Sequence, residues 1–207
     1  MKKKLQKNLG VILKLKLKVN SNFKQELEHS INLKKKLFYL NKDINKIILE
    51  IYTCLKKGNK ILICGNGGSA ADAQHLSAEF LIRLNPKINR RPFPVLNLAQ
   101  DTSTLTACGN DLGFENIFLR NLIAFGNKED VLIVISTSGK SKNIIKAANY
   151  AKKIKIKCIG FLGNKGGAVK KFCKHKLIVP SNNTARIQEC HIFLGHYIFN
   201  EVEKLLL

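Results

Sequence analysis

From residue 60 onward the chain alternates short apolar runs with helical patterns, and this alternation constrains its fold more than any other feature. The runs are Lys60–Cys64, Pro94–Leu98, Val131–Ser136, Lys155–Phe161 and Lys176–Val179. They are predominantly apolar rather than strictly alternating, as strands buried on both faces require. Helical spacing fills the intervals at Ala70–Leu84, at Ser141–Lys153 and near Gly166–Phe172, and a last helix runs from about Thr184 to Leu206. Strand–helix alternation of this kind predicts an α/β fold with a parallel sheet between layers of helices.

Upstream, residues 22–55 are helical in pattern. Phe23, Leu27, Ile31, Leu37 and Leu40 form one stripe, and Ile44, Ile47, Ile48, Ile51 and Leu55 form another. These helices are read as packing or oligomerisation elements. Residues 1–21 are Lys-rich and are read as a basic extension outside the core, leaving 22–207 as one domain. At 207 residues the chain has room for one sizeable core. Lysines break any apolar stretch after Met1, so neither a signal peptide nor a transmembrane segment is expected. The six cysteines include no Cys-x-x-Cys pair and several sit in apolar runs, which suits buried thiols in a reducing cytoplasm.

A net charge of +22 invites a nucleic-acid reading. Lysine dominates and is spread along the chain, with no arginine-rich helix and no aromatic ladder. A solvated lysine surface fits better, and it still attracts anionic small molecules.

Two strand ends are built to meet an anion. Gly65-Asn66-Gly67-Gly68-Ser69 follows the first strand and opens a helix, where backbone N–H groups favour negative charge. Ser136-Thr137-Ser138-Gly139-Lys140-Ser141 follows the third and also opens a helix, offering hydroxyls to phosphate oxygens. The first loop formally matches a dinucleotide fingerprint, but no Asp or Glu occurs from Ile82 to Ala99 to hold a ribose. The second ends like a P-loop, yet the required first glycine position holds Val134.

Acid–base chemistry has candidates on two helices. His75 and Glu79 lie i, i+4 on one helix face, able to bind a divalent metal or move a proton. On the last helix, Gln188 and His196 can face one pocket. His191 lies roughly 140° around the axis from His196. Spacing alone leaves the choice between the two histidines open.

Together these segments resemble the SIS (sugar isomerase) domain family and, within it, the phosphoheptose isomerases. The motifs are Cys64–Ser69, Asp72-Ala-x-His75-x-x-x-Glu79, Gly109–Phe114, Ile135–Ser141 and Arg186-Ile-Gln-Glu-x-His191-x-x-x-x-His196, spread over residues 22–207. The resemblance implies a three-layer, five-stranded parallel sheet and a homotetramer. It also implies isomerisation of D-sedoheptulose 7-phosphate to D-glycero-D-manno-heptose 7-phosphate, at the start of heptose-precursor synthesis for lipopolysaccharide or capsule. By motif position, Asn66, Gly67, Gly68 and Ser69 would contact the sugar, Asn110 and Asp111 its hydroxyls, and Ser136, Thr137, Ser138 and Ser141 the phosphate. His75, Glu79, Gln188 and His196 would surround one zinc ion per subunit, with Glu79 and His196 as the acid/base pair and Glu79 and Gln188 also meeting substrate. This selects His196 over His191.

Two positions depart from the family pattern: Ala185 where Asp is frequent, and Lys140 where Asn is frequent. The competing reading is a non-catalytic SIS protein that binds the bacterial replication initiator. Such proteins lack the acid/base pair, whereas Glu79 and His196 are both present here.

Overall fold

The computed structural model describes Lys14, Val19 and residues 22–207 except Gln100. Most of the basic extension assigned to residues 1–21 therefore lies outside the described residues. The chain divides into two units, Met1–Phe38 and Tyr39–Leu207. In the first, residues 22–36 form a helix (α1) on which Phe23, Leu27 and Ile31 are exposed.

The second unit holds α2 (Asn41–Lys56), β1 (Ile61–Gly65), α3 (Gly68–Leu81), β2 (Val95–Asn97), α4 (Thr102–Asp111) and α5 (Ile117–Phe125). Then come β3 (Val131–Ser136), α6 (Lys142–Lys153), β4 (Lys157–Gly163), β5 (His175–Val179) and α7 (Thr184–Leu206). The five strands form one sheet in the order β2-β1-β3-β4-β5, and every pair is parallel. All residues of β1 and β3 are buried, which explains their unbroken apolar runs.

Alternate side chains serve the two faces. Leu62, Cys64, Leu132 and Val134 join Ile144, Ala147, Ala148 and Ala151 of α6 and Phe118 and Leu122 of α5 in one core. Ile61, Ile63, Ile133 and Ile135 point the other way, where α2, α3 and α7 pack. The result is the expected three-layer α/β sandwich.

The sheet order fixes where a ligand can bind. From β1 the chain moves out to β2, then returns past β1 to β3, so the winding reverses between β1 and β3. In such sheets the crevice beyond the carboxyl ends at that switch point is the binding place. The loops after β1 and β3 both open there.

Several boundaries differ from the sequence reading. The fourth strand begins at Lys157 because Lys155 takes a left-handed turn (φ 64) just after α6. The helix expected near Gly166–Phe172 is a short 3-10 turn, Ala168–Phe172. The helix after the first loop starts at Gly68 and stops at Leu81. Helices α4 and α5 had no clear periodic signal. The first is rich in Thr, a poor helix former, and relies on Asp101 accepting the Thr104 N–H at 2.7 Å as its N-cap. None of the six cysteines forms a disulfide and all are buried, in keeping with their apolar surroundings. Among the described residues no helix is long and apolar enough to cross a membrane.

Candidate active site

The two loops line one cavity of about 270 Å³. Asn66, Gly68 and Ser69 come from the first, Ser136, Thr137, Ser138 and Ser141 from the second, and Thr184 and Gln188 from α7. The first turns of α3, α6 and α7 therefore meet at this cavity. Each helix N-terminus carries about half a positive charge on unpaired N–H groups, so three of them strongly favour an anion.

The second loop is shaped by its own hydroxyls. Ser136 Oγ accepts the Gly139 N–H at 3.0 Å, and Ser138 Oγ accepts the Lys140 N–H at 3.2 Å. Gly139 has φ 63 and lies so close to the next loop that a Cβ would sit 3.0 Å from Gly167 Cα. The Val169 N–H donates to Gly139 O at 3.0 Å and holds the two loops together. Ser141 occupies the N-cap of α6, but its side chain makes no capping bond. Its hydroxyl is thus open to a ligand oxygen.

The titratable cluster is built where α3 crosses α7. His75 Nε2 and His196 Nε2 lie 2.7 Å apart, and His75 Nε2 is 3.4 Å from Glu79 Oε1. At this separation one imidazole donates and the other accepts, so the pair holds a proton between them. Burial pushes the His196 imidazole below its ordinary range, with His75 adding to the effect and Glu79 opposing it. The shift favours the neutral imidazole, the state in which it can both give and take a proton.

Packing brings the helices this close. A Cβ on Gly195 would meet Leu76 Cδ1 at 2.7 Å, so the glycine beside His196 admits the leucine beside His75. Phe80 and Phe199 stack edge to face one turn further along, with ring centroids 3.8 Å apart. Arg90 ties the ends together. Its guanidinium donates to the carbonyls of Glu79 (3.0 Å) and Phe80 (2.9 Å) and pairs with Glu203 of α7. Both members of that ion pair are almost wholly buried. Arg90 thus fixes the C-terminal end of α3, and Glu79 with it, against α7.

His75, Glu79 and His196 offer ligand atoms that all lie within 4.8 Å of one another. Two imidazole nitrogens and a carboxylate oxygen with an open side are the donor set of a catalytic zinc-type site. The fit needs a small opening, because ligands on a tetrahedral ion with bonds near 2.05 Å stand about 3.3 Å apart. His75 is half exposed and its ring can swing by that amount. Gln188 lies two turns before His196 on α7, with its amide packed against Gly68. Asp72 is also nearby: burial raises its carboxyl above the usual range while His75 opposes this, and its Oδ2 is buried without a hydrogen-bond partner.

The structure separates the two histidines of α7. His191 is fully buried with Nε2 at 3.0 Å from Leu162 O, and burial lowers its pKa to about 4. It is a neutral core residue. Asn110 and Asp111 are not among the residues lining the cavity. Asn110 Nδ2 donates to Asp111 Oδ1 at 2.8 Å, and Asp111 faces a separate groove with Arg120 and Asn121. Gly67 shapes the first loop from the N-cap of α3 (φ 55) without lining the cavity.

Two residues escaped the sequence reading. Thr184 lines the cavity one turn before Gln188, and that i, i+4 spacing was the available signal. Asn143 pairs its buried amide with Asn66 across the two loops, at 3.0 and 2.9 Å. The two residues are 77 positions apart, so no local pattern reports the contact.

Comparison with known proteins agrees with the fold. The SIS domain pattern matches residues 28–163. The phosphoheptose isomerase of Clostridium acetobutylicum is 46% identical over 87% of this chain and 93% of its own length. Phosphoheptose isomerase 1 of Campylobacter jejuni is 50% identical, over 80% of this chain and 88% of its own. The solved phosphoheptose isomerase from Neisseria gonorrhoeae superposes with a TM-score of 0.83 at 36% identity, covering 90% of this chain and 99% of that one. By these matches the chain belongs to the SIS domain family and, within it, to the phosphoheptose isomerases.

Proposed function

We propose that this protein is the cytoplasmic isomerase that converts D-sedoheptulose 7-phosphate to D-glycero-D-manno-heptose 7-phosphate, supplying heptose precursors for lipopolysaccharide or capsule. One observation carries the reading. An anion-binding cavity at three helix N-termini shares α3 and α7 with a carboxylate–imidazole cluster suited to proton transfer. The relatives at 46% and 50% identity bear the corresponding name.

The residues divide the work as follows. Ser136, Thr137, Ser138 and Ser141 hold the phosphate, and the α6 N-terminus opposes its charge. That anchor orients the distant reacting carbons. Asn66, Gly68, Ser69 and Gln188 contact the sugar, and Gly67 is assigned to it by motif position. Glu79 takes the proton from C1 of the ketose and returns it at C2, while His196 moves the proton between the two oxygens. The result is an enediol(ate) path between ketose and aldose. Asn110 and Asp111 are assigned to sugar hydroxyls by motif position. His75, Glu79, Gln188 and His196 would hold zinc, one ion per subunit of a homotetramer; bound there, zinc would polarise the carbonyl and stabilise the enediolate. The excess of lysine draws the anionic substrate inward.

The test is direct. Purified protein incubated with sedoheptulose 7-phosphate should yield the aldose isomer, resolved by anion-exchange chromatography at unchanged mass. Protein that leaves this ketose untouched, with its metal content replete in zinc, would refute the assignment.

A further inference from the structure

Asn143 of α6 bonds side chain to side chain with Asn66 of the first loop. It is the second residue of α6, two positions after Ser141, and the residue is 2% exposed. Asn143 Nδ2 donates to Asn66 Oδ1 at 2.9 Å, and Asn66 Nδ2 donates back to Asn143 Oδ1 at 3.0 Å. Asn143 Oδ1 also accepts the Ile144 backbone N–H at 2.9 Å. The third bond fixes the orientation of the first two. If the Asn143 amide turned over, its NH₂ would face the Ile144 N–H, donor against donor. The backbone of α6 therefore dictates which way Asn143 points, and Asn143 dictates which way Asn66 points.

The consequence falls inside the cavity, which Asn66 lines. A primary amide has two N–H donors and two acceptor lone pairs. The pair with Asn143 consumes one of each, leaving Asn66 one N–H and one lone pair in a fixed arrangement. We propose that Asn143 is a positioning residue: it sets the Asn66 amide for the sugar end of the substrate from the same helix turn that receives the phosphate. Phosphate and sugar subsites are thereby held in register across β1 and β3, which pair directly. The role rests on the isomerase reading given above.

A double-mutant cycle in the full-length protein tests it, with kcat and KM for sedoheptulose 7-phosphate expressed per folded protein from circular dichroism. Asn143→Ala should lower kcat by about tenfold to a hundredfold, the loss expected from about 1 Å of misplacement, while KM stays within about threefold. Asn66→Ala should lower it similarly, and the double variant should be no slower than the slower single variant. Asn143→Asp is the variant that preserves shape. It can still accept from Ile144 but cannot donate to Asn66, so it should lose kcat as Asn143→Ala does. Full kcat in Asn143→Asp, or losses that multiply in the double variant, would overturn the proposal and leave Asn143 as a packing residue. A wild-type protein inert toward this sugar would overturn the reaction assignment itself, and this role with it.

Discussion

Gly68→Ala separates activity from stability at this site. Gly68 opens α3 beneath the Gln188 amide, and a Cβ placed there would lie 3.0 Å from Gln188 Cδ and 3.1 Å from its Oε1. Carbon atoms rest about 3.5–4.0 Å apart, and Gln188 Nε2 lies closer still to that position, so Gln188 must withdraw by about 1 Å. The obstacle is the end of a flexible side chain rather than backbone, so the fold can yield. Moving Gln188 off its favoured rotamer costs about 0.5–1.5 kcal/mol. Replacing a glycine that has ordinary backbone angles returns about 0.4–1 kcal/mol by restricting the unfolded chain. The two nearly cancel, and the melting temperature should move by no more than about 4 °C. The displaced amide, however, is one of the groups assigned to the substrate, and a shift approaching 1 Å there should cost tenfold to about a hundredfold in kcat/KM. Steady-state kinetics with sedoheptulose 7-phosphate beside thermal unfolding measure both quantities. Wild-type kcat/KM in Gly68→Ala, or a rate loss no larger than the unfolded fraction, would refute the argument that Gln188 acts from this position.

Other outcomes follow from the buried charges. His191 binds its proton near pH 4 in the fold and near 6.5 when unfolded, so the unfolded chain takes up the proton first as pH falls. Stability present above pH 6.5 should therefore be lost towards pH 4, by on the order of 3 kcal/mol, and urea unfolding across that range in wild type and His191→Gln would isolate the contribution. Burial alone would raise the Glu50 carboxyl, but bonds from Lys157, Lys174 and His175 outweigh it and hold it at about 2, so a second loss should begin as pH falls through about 4.5. Arg90→Ala leaves Glu203 buried without its cation and should cost about 3–5 kcal/mol in chemical unfolding, with Arg90→Ala/Glu203→Gln recovering part of it.

Much of this molecule was legible in the sequence because its strands are buried on both faces. Runs such as Ile61–Cys64 and Val131–Ile135 can hardly be read otherwise, and each of the five predominantly apolar runs marks a strand of the sheet. The two loops were legible for a related reason: a strand end followed by Gly-rich or Ser-rich residues and a helix start is a local pattern. Topology then supplied what local pattern could not, since only the reversal between β1 and β3 sets the loops side by side. His75 and Glu79 share a helix face and could be paired by spacing. Their meeting with His196 depends on Gly195 admitting Leu76, a long-range packing fact. Asn143, Arg90 and the buried setting of His191 were hidden for the same reason. Helices α4 and α5 were missed because one depends on an Asp cap and the other is nine short residues with little polar contrast.

The central claim is that Glu79 and His196 carry the proton transfers between ketose and aldose. Its sharpest test is the rate of sedoheptulose 7-phosphate isomerisation by wild type, Glu79→Gln and His196→Ala, each checked for native circular dichroism. Turnover by the wild type with loss of at least about a hundredfold in both variants is the predicted result. Near-wild-type rates in either folded variant would contradict it.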